Sequence, residues 1–512
     1  RTGGVPRFRL GWRGLTARVK TLKLYSRLSP CPRPQYPVWV SQKPDPQISA
    51  EVKINLTILV LGAMVMILNE TALSVALPTI MADYGIPATS AQWLLTGFLL
   101  TMGVVIPTTG FLMDKFTTRQ IFLSSSGVFL AGTVLAALAP AFGVLLAGRV
   151  FQAVGTALMI PTLMTVAMTL VPPQRRGSVM GIISVVISVA PALGPTVGGV
   201  ILSISTWHVI FWAMVPLLGL ICAAGYFRLV NVGDKRDTPL DFPSVLLSVI
   251  AFGGLVYGVS SIENMLDGDG VRDIIVLAVG VVTLALFTRR QLRLAKDNRA
   301  LLDMRPFTVP NFTVAVLGML LMFGLLLGVV NILPIYLQTS LAVSSLVTGL
   351  VVMPGGLLQG GISPMVGRLY DVHGPRPLMI PGALIFAAGT WLMTLLSQDS
   401  AVWMVIGMHI LFALGIALMM TPLMTTSLAS LPDYLYSHGS AILNTLQQLA
   451  GAAGTAFLMT FLSRGTKSGA AQGMNEAAAT AHGAHWAFLF AGVLSIVVVV
   501  LAPFLKRVPS AN

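Results

Sequence analysis

The sequence predicts an all-α polytopic membrane protein, and three observations carry that prediction. Of 512 residues, 55% are hydrophobic and only 10% are charged, with a mean hydropathy of +0.84; soluble domains carry about a quarter charged residues. The apolar residues fall into runs long enough to cross a bilayer. Two of the connecting loops repeat one pattern. Fifty glycines suit membrane helices, where small residues let backbones approach. The two cysteines, Cys31 and Cys222, supply neither a disulfide framework nor metal-ligand spacing.

A span needs about 20 apolar residues at about 1.5 Å each. On that ruler span one covers 54–79, INLTILVLGAMVMILNETALSVALPT, and spans two to six cover 90–112, 120–139, 143–170, 178–202 and 208–230. Two further spans follow at 242–262 and 273–289. The last six are placed at 311–337, 345–366, 377–397, 401–430, 439–463 and 484–506, which makes fourteen. Loops after even-numbered spans hold Lys115 and Arg119, Arg175 and Arg176, Arg228, Lys235 and Arg236, and a basic run from Arg289 to Arg305. Positive loops stay inside, so both termini are expected to be cytoplasmic. Arg464 and Lys467 resist, because they fall on the outer side of this arrangement.

Residues 1–52 form a basic tail, ten Lys and Arg against Asp45 between positions 1 and 50, with proline-rich CPRPQYP and KPDPQ. It is expected to be disordered and able to contact anionic lipid. The first methionine is Met64, inside span one, so an over-extended gene product stands as the other reading of the tail. No short apolar core with a cleavage site marks it as a secretory signal.

GFLMDKFTTR, Gly110 to Arg119, follows span two, and GRLYDVHGPR, Gly367 to Arg376, follows span ten. Both read G-x-L-x-D-x-x-x-x-R. GTALMIPTLMT from Gly155 echoes GIALMMTPLMT from Gly415. Two halves on one plan are the mark of a secondary transporter. In the turns, Asp114 and Asp371 are expected just beyond a helix end, accepting from the positive start of a neighbouring helix, while Arg119 and Arg376 pair with the adjoining element. Such contacts can form in one conformation and break in another, as a gate requires.

The repeated turn resembles that of the major facilitator superfamily. Fourteen spans, an extra pair between two six-helix bundles, resemble its drug:proton antiporters of the EmrB/QacA type. This implies a first bundle over 53–230, an inserted hairpin and basic loop over 231–310, and a second bundle over 311–512. LAGRVFQAVGTA, with Arg149, Gln152 and Gly155, resembles the fourth-helix motif. APALGPTVGG, with Gly194, Pro195, Gly198 and Gly199, resembles the antiporter motif of helix five. LNETALSVALP resembles the first-helix motif, whose usual form begins Leu-Asp, and is closest to the lincomycin-resistance branch. Here Asn69 occupies the usual acid position and the carboxylate stands one place on, at Glu70. One residue is about 100° of helix rotation.

A carboxylate inside a span costs about 2.5 to 3.5 kcal/mol on insertion scales. Proton coupling through Glu70, with Asn69 beside it, accounts for that cost; a structural hydrogen-bonding role is the alternative. Arg149 keeps its charge and must find acceptors inside the protein. The resemblance implies that it tunes the acid, against a packing role on backbone carbonyls. Ala190, Gly194 and Gly198 line one face of helix five, and ordinary small-residue packing would also explain them. Trp93, Gln152, Asn331, Gln338, Gln359, Asn444 and Gln448 are expected to face a substrate cavity, although packing accounts for any single one. His409 stands where the repeat places Arg149.

The expected function is proton-coupled export of lipophilic compounds, cations among them, by alternating access in a bacterial plasma membrane. An exporter of an endogenous lipid or metabolite, or a proton symporter, stays open on the same fold. No clustered nucleophile or metal geometry points to an enzyme, and no GxxxxGK[ST] loop points to ATP-driven pumping. The expected partners are small substrates, protons and lipid; no cofactor, metal or nucleic acid is expected, and the chain is expected to act as a monomer.

Overall fold

The computed structural model describes residues 48–231, 241–266, 270–297 and 299–508. Among these, fourteen helices of eighteen or more residues follow one another and no strand occurs. They are α1 (Ala50–Tyr84), α2 (Trp93–Lys115), α3 (Thr118–Ala137), α4 (Phe142–Leu170), α5 (Arg176–Ile204), α6 (His208–Arg228) and α7 (Phe242–Ser260). The rest are α8 (Val271–Leu294), α9 (Pro310–Ile335), α10 (Ser345–His373), α11 (Arg376–Met393), α12 (Val402–Ala429), α13 (Tyr436–Ala471) and α14 (Glu476–Leu501). Number and order agree with the fourteen expected spans.

Local chemistry sets the ends. Thr117 and Gln120 form a reciprocal capping box at the start of α3. The side chains of Ser49, Asp241, Ser344 and Asn475 cap α1, α7, α10 and α14. Gly374 stops α10 at φ +80°, a left-handed conformation that favours glycine. In the first repeat, Phe116 follows α2 in extended backbone instead, so Thr117 needs no such freedom.

Three expectations about ends are corrected. α13 continues past residue 463 to Ala471, so Arg464 and Lys467 lie in a helix rather than in a loop; the Arg464 guanidinium donates to Leu266 O at 3.0 Å. Asp114 and Asp371 stand in the last turns of α2 and α10, not beyond them. α1 already starts at Ala50, inside the expected tail, of which residues 1–47 lie outside the described residues.

Thirteen of the fourteen helices carry an apolar window long enough to cross a membrane. The exception is α13, diluted by Asn444, Gln447 and Gln448. The described chain is a multi-pass membrane protein.

Helices α1 to α6 pack among themselves, α1 on α4, α5 and α6 and α3 on α4 and α6. Helices α9 to α14 do the same, α9 on α12, α13 and α14 and α11 on α12 and α14. The repeat reaches down to single contacts: a Cβ on Gly155 would stand 2.6 Å from Phe129 Cβ, and one on Gly415 would stand 2.5 Å from Phe386 Cα. α7 and α8 pair through Gly254 and Gly280, and α7 lies against α2 and α13. Between the two sets of six, α5 meets α10 and α12, and α13 meets α2 and α4.

Candidate functional site

α1 presents Glu70 half-buried and Asn69 fully buried. The 100° step between them sends the two side chains to different surroundings. Glu70 interacts electrostatically with Arg149 of α4, yet the two form no ion pair in contact. Arg149 is wholly buried. Its Nε donates to Leu94 O at 3.3 Å, its Nη1 donates to Gln152 Oε1 at 2.9 Å, and its plane lies 4.3 Å from the Phe98 ring centroid. Gln152 in turn donates to Thr133 Oγ1 at 2.9 Å. The Arg149–Gln152 spacing of three residues puts both on one helix face. Nη2 of Arg149 and both amide atoms of Asn69 have no partner among the described residues. A half-buried acid facing a held cation, with one guanidinium nitrogen uncommitted, can gain or lose a proton without a locked ion pair to break.

Helix five packs directly behind this acid. A Cβ on Gly194 would strike Thr71 Oγ1 and stand 2.9 Å from Ala72 N, and one on Gly198 would stand 2.6 Å from Ala72 O. Thr71 and Ala72 follow Glu70 immediately, so the glycines set how closely α1 approaches α5. Gly199 has no neighbour within 4 Å of such a Cβ, and the Pro195 side chain lies outside the described residues.

Both repeated aspartates reach the opposite set of six helices. Asp371 accepts from Gly177 N at 2.7 Å, Ser178 N at 2.8 Å and Ser178 Oγ at 2.5 Å, all at the start of α5. Asp114 accepts from Ser437 Oγ at 2.7 Å and lies 3.2 Å from His438 Nε2, both at the start of α13. Gly367 and Gly110 permit these crossings: a Cβ on Gly367 would collide with Gly177 O, and one on Gly110 would stand 2.7 Å from His438 Nδ1. Arg119 and Arg376 do not cross. Arg119 donates to Tyr226 O after α6's core, and Arg376 donates to Leu505 O beyond α14, so each ties its turn to the sixth helix of its own half.

The expected cavity residues separate into groups. Asn444, buried, donates to Met164 Sδ at 3.2 Å, and Gln448, half-buried, to Met102 Sδ at 3.5 Å, so both face the first half from α13. Trp93 is 43% exposed, and Asn331 and Gln338 are exposed. Asn331 donates to Leu327 O and Thr455 Oγ1, and Gln338 sits in a π-helical turn that ends α9. Gln359 is buried in α10. Gln152 is not a lining residue, since its amide is committed to Arg149 and Thr133.

The sequence reading missed the partners of the aspartates. Ser178 and His438 lie just after Pro172 and Pro432, proline turns that open α5 and α13, and that shared context was the available signal. Arg176 Nη1 also donates to Tyr436 Oη at 2.9 Å across the same end. His409 lies buried in α12 against Gly355 and Phe412, with Nδ1 unpartnered among the described residues.

The Major Facilitator Superfamily profile matches residues 59–455. The "Uncharacterized MFS-type transporter YcnB" of Bacillus subtilis (strain 168) is 39% identical over 451 residues, 88% of this chain and 94% of that one. The "Lincomycin resistance protein LmrB" of the same organism is 39% identical over 458 residues, 88% of this chain and 95% of that one. Among solved structures, the human organic anion transporter MFSD10 (TETRAN) superposes with a TM-score of 0.65 at 16% identity, over 88% of this chain and 99% of that one, which bears on the fold alone. With its two repeated turns crossing between two sets of six helices, the chain belongs to the major facilitator superfamily, a family of membrane transporters rather than enzymes.

Proposed function

We propose that this protein is a proton-coupled multidrug efflux transporter of a bacterial plasma membrane, exporting lipophilic compounds, cations among them, in exchange for protons. The observation that carries the proposal is Glu70: half-buried, in electrostatic reach of the buried Arg149, and next to the α1–α5 seam. A relative named for lincomycin resistance supports the substrate side.

Protonation of Glu70 and binding of a cationic substrate compete for one site, and that competition is antiport by mutual exclusion. The driving force is adequate. A proton moving down 100 mV delivers about 2.3 kcal/mol, enough to hold a neutral compound at roughly a fiftyfold gradient. Exchange of one proton for a monovalent cation cancels the voltage, so the pH gradient alone drives it.

The test is transport in proteoliposomes with an imposed pH gradient, using lincomycin and a lipophilic cation as probes. Glu70→Gln is expected to lose substrate-linked proton flux by at least about tenfold while substrate binding survives. Undiminished coupling in that variant reassigns the site. Transport indifferent to the gradient in the parent removes antiport.

A further inference from the structure

A cavity of about 480 Å³ lies where α10, α11 and the chain after α14 meet, lined by His373, Pro375, Arg376, Pro377, Lys506 and Arg507. Three of its six walls are permanent cations, and His373 is a fourth basic group. Among the described residues none of Arg376, Lys506 and Arg507 pairs with a carboxylate. The cations are held in place. Arg376 Nε donates to Leu505 O at 2.8 Å. The Lys506 backbone is gripped on both sides by Asn311, its N–H donating to Oδ1 at 2.9 Å and its carbonyl accepting from Nδ2 at 3.0 Å. The Arg507 stem lies where a Cβ on Gly374 would meet it at 3.1 Å.

The first half makes a comparable junction, with Arg228 in the last turn of α6. There the N–H of Arg119 donates to Asn231 Oδ1 at 3.2 Å, a neutral acceptor following α6. The second half places Lys506 and Arg507 after α14 instead. Among the described residues no carboxylate is in contact with these cations, and like charges repel one another, so an anion is the group that completes the site.

We propose that this cavity binds the phosphate of an anionic phospholipid. Two exposed apolar side chains next to the cavity in sequence, Val372 at 64% exposure and Phe504 at 62%, favour a lipid over a free anion. They offer an acyl chain a surface beside the basic walls, and basic pockets between helix ends at a membrane face suit such head groups. The site lies on the second half alone and takes no part in the proton and substrate chemistry proposed above.

Native mass spectrometry of the full chain in detergent tests it, titrating dioleoyl-phosphatidylglycerol, dioleoyl-phosphatidylcholine and inorganic phosphate in turn. Lys506→Gln with Arg507→Gln keeps the side-chain stems and removes two charges, and is expected to weaken phosphatidylglycerol binding about thirtyfold. Arg289→Gln with Arg293→Gln removes the same charge from exposed positions on α8 and is expected to change it less than about threefold. Lys506→Gln alone, with its melting curve in phosphatidylcholine compared with the parent's, guards against a folding defect and is expected to weaken binding about fivefold. Equal phosphatidylglycerol binding by parent and double variant overturns the proposal. So does an equal loss in the α8 pair, which is general charge attraction, and so does displacement of the lipid by inorganic phosphate at matched concentration.

Discussion

Asp371 is met by two backbone N–H groups and a hydroxyl from the start of α5, whereas Asp114 is met by a hydroxyl and an imidazole from the start of α13. The turns share a sequence pattern, and each joins its half to the other. Their chemistry differs. In the second turn the aspartate sits on the positive end of a helix, and Gly367 lies against the Gly177 backbone. In the first turn His438 stands between the helices, its Nδ1 accepting from Asp303 N–H at 3.3 Å, which leaves Nε2 to carry the proton toward Asp114. One crossing is made largely of main-chain donors, which cannot adjust without moving helices. The other is made of side chains and can.

The largest effect is expected at the glycines. Gly367→Ala sets a methyl group against the Gly177 carbonyl, and the cost to this crossing should be about 1 to 3 kcal/mol. Export should drop at least about tenfold, with spin-label distances across this end lengthening. Gly110→Ala meets mostly the His438 ring, which can turn, so its loss should be smaller. Equal losses would break the distinction.

Removing the charges comes next. Asp371→Asn gives up an anion that accepts from two helix N–H groups and should weaken its crossing by about 2 kcal/mol. Asp114→Asn should weaken its own crossing by about 1 kcal/mol. His438→Gln, which keeps an N–H donor, should stay within about threefold of the parent in export while His438→Leu falls below it. Matching behaviour of Gln and Leu would mean that the ring acts by bulk, and would sharpen the first crossing into a packing contact.

The smallest effect belongs to a contact outside both crossings. Asp241, capping α7, accepts Arg290 Nε and Nη2 at 2.7 Å each and the Ser244 N–H at 3.2 Å. The Arg290 guanidinium first, and Ser244 after it, hold its carboxyl down to about 2. A lowered value means that the stabilisation is complete above the ordinary carboxylate value of about 3.9 and is lost as pH falls through about 2. With Arg290 partly exposed, Asp241→Asn should cost about 1 kcal/mol at neutral pH. Parent and variant melting curves should converge below about pH 2, while export at neutral pH stays near the parent's.

The spans were legible because a run of apolar residues has one destination, and the repeated turns because their glycine and aspartate have fixed spacing. The partners of those aspartates were not. Gly177 and Ser178 offer backbone N–H groups, which no residue type advertises, and His438 is 324 positions from Asp114. Arg119 and Arg376 were legible as anchors but not in direction, since their acceptors are carbonyls of Tyr226 and Leu505. Arg149 and Gln152 could have been joined from their three-residue spacing alone. The helix ends failed where the residues permit helix without demanding burial, as in SRGTKSGAA, which carries α13 to Ala471.

The polarity of α13 bears on how the protein is made. Thirty-six residues long, Tyr436–Ala471 lacks the apolar window that the other thirteen long helices carry, so its own preference for hydrocarbon is weaker than theirs. Its amides at Asn444 and Gln448 are accommodated by methionines contributed from the amino-terminal half. Residues 48–231 precede this segment in the chain, so the methionine partners of its amides are made before it. Synthesised apart from residues 48–231, the same segment should stay outside the lipid and be open to protease.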